Sequence, residues 1–179
     1  MKCDLRSMPL NPDERRATAF HEAGHVVISV VHGRIPTSAD IIPDANGNAG
    51  HTLFENEDIP EVYRRYLNAS PEKQRYIEMR VLVSLAGTAA HDLMSPGRQH
   101  DCGDLRDEKQ AKKLIGECIN WEDDHDAAFS RLKTECSQQI SENWPKVEVV
   151  ASELLRKDKI LAAEIQFLVG HCCPDTFSQ

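Results

Sequence analysis

The sequence predicts a mainly α-helical (α+β) fold with a small β-sheet or hairpin after the first helix. Several long segments carry apolar residues at helical spacing, and only residues 37–56 look β-like. The 179 residues, 40% hydrophobic and 28% charged, suit one domain with a real core. We therefore expect a single domain over residues 1–179 with a core at 11–170, and loosely ordered segments at both termini.

The first predicted helix covers residues 11–33. Asn11 or Asp13 can cap it, acidic side chains occupy its first turn, and Gly33 closes it. Two short strands, 37–43 and 50–56, should follow, because an Asn-Gly turn signal separates them. Residues 57–70 are expected to form a short helix or a loop with helical turns.

Four further helical segments complete the predicted fold. The helix over 70–97 has Ser70 as its cap and Pro71 in its first position, and its apolar middle belongs in the core. After a loop at 98–103, another helix begins with acidic residues ahead of lysines. Residues 123–159 form one long helix or two, because Pro145 should kink or divide them. A short helix over 161–170 comes last.

Composition excludes several classes of function. A formal net charge of -8 argues against a nucleic-acid partner, and the apolar runs are too short to span a bilayer. No signal peptide, CxxC pair or G-x-x-x-x-G-K phosphate loop is present, so we expect a cytoplasmic protein that does not bind ATP by that route. Cys172 and Cys173 are interpreted as part of a mobile tail rather than a metal site.

The HEAGH stretch at residues 21–25 carries the strongest chemical signal. Four residues on a helix turn 400°, so His21 and His25 point within about 40° of each other and can bind one metal ion. Glu22 cannot easily be a ligand in that geometry, but it can take a proton from an attacking water. Gly24 costs helix stability, which close packing of a neighbouring element would explain. The alternative is a pair of core-edge histidines beside a solvated glutamate.

Beyond this motif, five segments resemble the FtsH-type zinc peptidase domain, in the same order along the chain. "AFHEAGHVV" resembles its opening, and "ADIIPDANGNAGHTLFENED" resembles its strand–turn–strand segment. "VLVSLAGTAAHDLMSPG", "CGDLRDEKQAKKLI" and "ISENWPKVEVVASELLRKDKILAAEIQFLV" are similar to its later helices. The resemblance covers residues 14–169.

This resemblance implies a helical zinc-metalloprotease fold with Zn²⁺ as its cofactor. It implies that Glu22 is the catalytic base. It implies that the zinc ligands are His21, His25 and Asp104. It also implies that the substrate lies along an edge strand near Gly50, His51 and Thr52. A peptide could add to that strand by main-chain hydrogen bonds.

The third ligand can also be sought among the residues alone. Six candidates lie in one segment: His100, Asp101, Cys102, Asp104, Asp107 and Glu108. Asp104 is favoured because it stands at a helix start, after a glycine that would let the loop turn sharply, and because it aligns with the family's ligand. Asp107 and Glu108 lie one turn later and are expected to face solvent.

The chain also departs from the family pattern. Such proteins carry a membrane anchor and an ATP-driven unfoldase, and we expect neither in this chain. The family's paired glutamates are replaced by His91, expected at the surface, and Asp92, which could orient a ligand histidine. His51 replaces a tyrosine and is expected in solvent at the strand edge, rather than steadying an oxyanion.

The predicted function is therefore an ATP-independent zinc peptidase that cleaves flexible or unfolded polypeptides. A separate unfoldase or self-association into a homo-oligomer is possible. The main alternative is a zinc-binding regulatory or interaction module that keeps the fold with little turnover, against which the intact Glu22 argues. A third interpretation is an HExxH hydrolase whose substrate is not a peptide.

Overall fold

A computed structural model of the chain describes residues 10–45, 47–55, 71–99, 101–118 and 125–170. Within these ranges it contains six helices and one three-stranded antiparallel sheet, which confirms the mainly α (α+β) prediction. The helices are α1 Pro12–Val31, α2 Pro71–Met94, α3 Cys102–Cys118, α4 His125–Glu142, α5 Trp144–Lys157 and α6 Ala162–Gly170. The strands are β1 Ser38–Asp40, β2 His51–Leu53 and β3 Lys159–Leu161. None of the described helices is both long and apolar enough to cross a membrane.

Helix α1 begins and ends where the sequence predicts. The Asn11 side chain accepts hydrogen bonds from the backbone N–H groups of Asp13 and Glu14, at 3.0 and 2.9 Å. The Glu14 carboxylate accepts one in return from the Asn11 N–H, at 3.0 Å, which completes a capping box. Gly33 follows the helix with a φ of +78°, a conformation that glycine adopts without strain.

Helices α1 and α2 cross at very short range in the core. A Cβ atom at Gly24 would lie 2.3 Å from the Ala86 carbonyl oxygen and 2.8 Å from the Ala90 Cβ. The expectation that Gly24 allows a neighbouring element to pack closely is therefore confirmed. Because the crossing lies beside the HEAGH turn, α2 forms one wall of the site.

The sheet has the strand order β2–β1–β3, so β2 is an edge strand. β1 pairs antiparallel with both neighbours, and Ala39 lies opposite Thr52 on one side and Ile160 on the other. The two strands after α1 are confirmed, although they are shorter than predicted. β3 was not predicted, because its residues lie between two predicted helices and no turn signal marks them, as the Asn-Gly pair marks β1 and β2.

The remaining helices agree with the predictions where they can be compared. Asn143 separates α4 from α5, and Pro145 lies in the first turn of α5, as its missing N–H and fixed φ favour. α3 begins at Cys102, two residues earlier than expected. The predictions for residues 57–70, for the two termini and for the Cys172–Cys173 pair lie outside the described residues.

Candidate metal and active site

The two histidines of α1 point their Nε2 atoms at the same place. These atoms lie 3.1 Å apart, and both side chains are largely buried. His25 Nδ1 lies 2.7 Å from the carbonyl oxygen of Val83 on α2. Since a carbonyl only accepts hydrogen bonds, Nδ1 of His25 is the donor, and the neutral ring therefore presents a lone pair at Nε2.

Asp107 of α3 brings a third possible ligand atom to the histidine pair. Its Oδ2 lies 3.0 Å from His21 Nε2 and 3.2 Å from His25 Nε2. This oxygen is buried and, despite the short distances, makes no hydrogen bond of acceptable geometry among the described residues. The expectation that Asp107 faces solvent is wrong.

These three atoms fit a zinc ion. Ligands held about 2.0–2.1 Å from zinc in a tetrahedron lie roughly 3.3 Å from one another, and the separations here are 3.0, 3.1 and 3.2 Å. Gly87 of α2 keeps the place open, because a Cβ atom there would lie 2.5 Å from Nε2 of both His21 and His25. Two imidazoles and a carboxylate also form a donor set that zinc favours.

Asp104, the predicted third ligand, is held on the other side of His21. Its Oδ1 lies 3.6 Å from His21 Nδ1, and the residue is fully buried. Arg98 binds both carboxylate oxygens, with Nη1–Oδ2 at 2.6 Å and Nη2–Oδ1 at 2.8 Å. Gly103 lies within α3 and has no positive φ, so the expected sharp turn before Asp104 is absent. The role of Asp104 as a ligand stays a prediction.

The charges around the histidines favour a cation. Burial by itself lowers the pKa of His21, but contacts with Asp104 and Asp107 raise that pKa to about 10. Burial alone would raise the pKa of Asp107, but the neighbouring His25 and His21 hold it well below its usual range. The two carboxylates therefore favour a positive charge at the histidines, whether a proton or a metal ion.

Glu22 is buried beside this cluster and is oriented by the edge strand. The Thr52 hydroxyl donates a 2.8 Å hydrogen bond to Glu22 Oε2. At Gly50 the backbone approaches so closely that a Cβ atom there would lie 2.9 Å from Glu22 Cγ. The predicted base and two of the three predicted substrate-strand residues are thus in contact.

A cleft of about 1260 Å³ opens over these groups. It is lined by α1, by the segment that leads into β2, by the end of α2 and by the start of α3. Its lining includes His21, Glu22, His25, Thr52, Arg98 and Asp107. An extended chain lying along β2 would therefore pass next to Glu22 and the histidines.

His51 differs from its expectation. It is half-buried, with Nδ1 at 3.3 Å from Asp40 Oδ1 and Nε2 at 3.1 Å from Asp44 Oδ2. Burial lowers the pKa of His51, but the two carboxylates raise it above its ordinary value. The side chain is therefore held within the turn that precedes β2, and the expectation of a solvated side chain is wrong.

The two residues that replace the family's glutamates occupy different positions. His91 is buried, against expectation, and its ring centroid lies 6.5 Å from that of His21. Burial and the charge of Arg98 lower the pKa of His91. Asp92 Oδ1 lies 3.3 Å from Arg98 Nε, so Asp92 is linked to His21 through Arg98 and Asp104.

Two residues of the site, Gly87 and Arg98, were missed in the sequence, and a third, Asp107, was considered as a ligand but expected to face solvent. Asp107 carried a usable signal, because it follows Asp104 by three residues and so lies on the same helix face. Gly87 is one of several small residues in its helix, and nothing in the sequence distinguishes its role. Arg98 lies in a loop, where the spacing of apolar residues gives no information about its ion-pair partner, Asp104.

The comparisons with known proteins find distant similarity to one kind of enzyme. No family model matches the sequence. Two proteins of Phytoplasma mali (strain AT), named ATP-dependent zinc metalloprotease FtsH 3 and ATP-dependent zinc metalloprotease FtsH 1, are each 27% identical to the chain over 180 residues. Each alignment covers 92% of this chain but 29% of the relative, so the chain spans less than a third of these proteins. This similarity supports a zinc-metalloprotease kind of function.

Proposed function

We propose that the chain is a zinc-dependent peptidase that hydrolyses peptide bonds in flexible or unfolded polypeptides. The observation that carries this proposal is the position of Glu22. Its carboxylate is buried beside the two convergent histidines and is hydrogen-bonded by Thr52 at the edge of the sheet. A carboxylate suited to act as a base, side chains that could hold a metal ion and an edge strand of the described sheet therefore line one cleft, which supports the proposal.

The residues divide the work between them. His21 and His25 hold the zinc ion, which when bound supplies Lewis acidity to a water molecule and to the scissile carbonyl. Glu22 accepts the proton of the attacking water and passes it to the leaving amine. Thr52 keeps Glu22 oriented, and the backbone of β2 aligns the substrate as an added strand.

The proposed substrate is a flexible chain, because an added strand must be extended along its whole contact with β2. The sequence contains no phosphate loop, so cleavage by this chain should not respond to ATP. Delivery of substrates by a separate unfoldase, self-association and a cytoplasmic location stay predictions.

The experiment compares Glu22→Gln with the unchanged protein on casein, an unstructured substrate. Glu22→Gln keeps the shape but removes the base, so turnover should fall about 10²–10⁴-fold while zinc content stays the same. Glu148→Gln is the matched control, because Glu148 is exposed on α5, away from the cleft. Equal cleavage by Glu22→Gln would contradict the proposal, and zinc binding without any cleavage by the unchanged protein would favour the regulatory module.

A further inference from the structure

Asp104 and Asp107 contact opposite nitrogens of the same imidazole. Asp104 lies on the Nδ1 side of His21, and Asp107 lies on the Nε2 side. Because the two residues are three positions apart on α3, both carboxylates project from one helix face toward α1. The Nε2 atom of His25 lies next to the Nε2 atom of His21, on the side that Asp107 contacts. In a metal site built on both histidines, Asp104 and Asp107 therefore cannot have the same role.

The carboxylate of Asp104 already accepts three hydrogen bonds. Arg98 binds its two oxygens in a fork, at 2.6 and 2.8 Å, and the Asp101 N–H donates to its Oδ2 at 2.8 Å. A bidentate, charge-assisted pair of this kind is strong, and breaking it in a buried place is costly. Its Oδ1 lies on the Nδ1 side of His21, so turning the carboxylate toward the two Nε2 atoms would break part of this pairing.

The guanidinium also disfavours a cation on the Asp104 side. A second set of possible ligand atoms lies there, from His21, His91 and Asp104. Arg98 is bound directly to Asp104, so its positive charge would repel a divalent ion at that place. The buried Nδ1 of His91 has no hydrogen-bond partner in the described part of the chain. The positive charge of Arg98 acts on His91, however, and disfavours a metal ion there.

Asp107 shows the opposite pattern. Within the described part of the chain, its buried Oδ2 makes no hydrogen bond of acceptable geometry, although two Nε2 atoms lie at 3.0 and 3.2 Å. A buried carboxylate oxygen normally has a partner, so an orphaned one needs an explanation. An ion between the three atoms would satisfy all of them at once.

We infer that Asp107, and not Asp104, completes the zinc site with His21 and His25. Asp104 is paired with Arg98 and is not a ligand. It instead orients the imidazole of His21 through Nδ1. This assignment departs from the alignment with the FtsH-type family, in which Asp104 matches the ligand. It rests on the zinc binding in the proposed function, but not on catalysis.

The test uses Co²⁺ as a coloured probe in the full chain. Single variants Asp107→Cys and Asp104→Cys are loaded with Co²⁺, and the near-ultraviolet thiolate-to-cobalt charge-transfer band is recorded. Cysteine is itself a good ligand for such ions, so a band appears where the replaced side chain touches the metal. The unchanged protein supplies the background from its own six cysteines. We expect the band in Asp107→Cys and not in Asp104→Cys.

A second measurement covers the case in which Asp104→Cys fails to fold. The double variant Arg98→Met/Asp104→Leu replaces the buried ion pair by apolar side chains, a change that proteins often tolerate. In a chelator competition it should lose at most about 100-fold in zinc affinity, as expected for groups outside the ligand set. Asp107→Ala should lose more than that.

The outcomes separate this inference from the proposed function. A band in Asp104→Cys alone, or an unchanged protein that binds Co²⁺ while neither variant gives a band, would overturn the Asp107 assignment and leave the peptidase intact. Failure of the unchanged protein to bind Co²⁺ or Zn²⁺ would overturn both. Metal binding through Asp107 without casein cleavage would support the assignment and contradict the peptidase.

Discussion

Replacing Gly87 by alanine should weaken zinc binding strongly while leaving the chain folded. The added Cβ would lie 2.5 Å from Nε2 of both His21 and His25, against about 3.4 Å for an ordinary contact. Each imidazole would therefore have to move by roughly 1 Å. Metal ligands must keep their positions within about 0.5 Å, so we expect zinc affinity to fall at least 100-fold.

The cost of Gly87→Ala to folding should be smaller than its effect on zinc. Overpacking a core position costs about 1–3 kcal/mol, and replacing a helical glycine by alanine returns up to about 1 kcal/mol. The net loss of unfolding free energy in the metal-free protein should thus be about 0–3 kcal/mol. A thermal or denaturant unfolding curve without metal measures this loss separately from zinc binding.

Zinc affinity is measured by competition with a chromophoric chelator, beside the control variant Gly116→Ala. Gly116 also lies in a helix, but a Cβ there would meet no atom within 4 Å. The control should bind zinc as the unchanged protein does and gain up to about 1 kcal/mol of stability. Wild-type zinc affinity in Gly87→Ala would refute the placement of the metal between the two Nε2 atoms.

Two smaller predictions concern the edge strand and its turn. Thr52→Val should remove the hydrogen bond to Glu22 and lower kcat roughly ten-fold with zinc content unchanged; an unaltered kcat would mean that Glu22 needs no such support. The carboxylates of Asp40 and Asp44 raise the pKa of His51 against the effect of burial. Protonation of His51 therefore stabilises the fold, and this contribution is fully present below the pKa of about 6.5 in the unfolded chain. The contribution disappears as the pH rises through the pKa of His51 in the folded protein. His51→Gln should therefore lower the unfolding free energy by at most about 1 kcal/mol near pH 6 and by less near pH 9, and an equal loss at both pH values would contradict the charge argument.

The sequence predicts most of the fold because local signals mark most of its elements. The capping box at Asn11, the apolar middle of α2 and Pro145 at the start of α5 each express a short-range rule. No short-range rule predicts β3, because its residues form a strand only by pairing with β1. Its existence depends on tertiary contacts that the local sequence does not reveal.

Some residues of the site could likewise be predicted from local sequence, and others could not. His21, Glu22 and His25 could be found because one helical turn fixes their relation. The choice between Asp104 and Asp107 depends on Arg98, which reaches Asp104 from a loop outside α3. Similarly, the burial of His91 and the contact of Glu22 with Thr52 depend on how α2 and β2 pack against α1. Spacing along the chain cannot determine such contacts between elements.

The central claim is that one zinc ion, held beside Glu22, makes this chain a peptidase. Titrating the metal-free protein with Zn²⁺ while following the cleavage of casein tests this claim most directly. We expect no cleavage without metal and a rise in activity that saturates at one zinc ion per chain. A folded protein whose cleavage does not depend on zinc, or one that binds zinc and cleaves nothing, would contradict it.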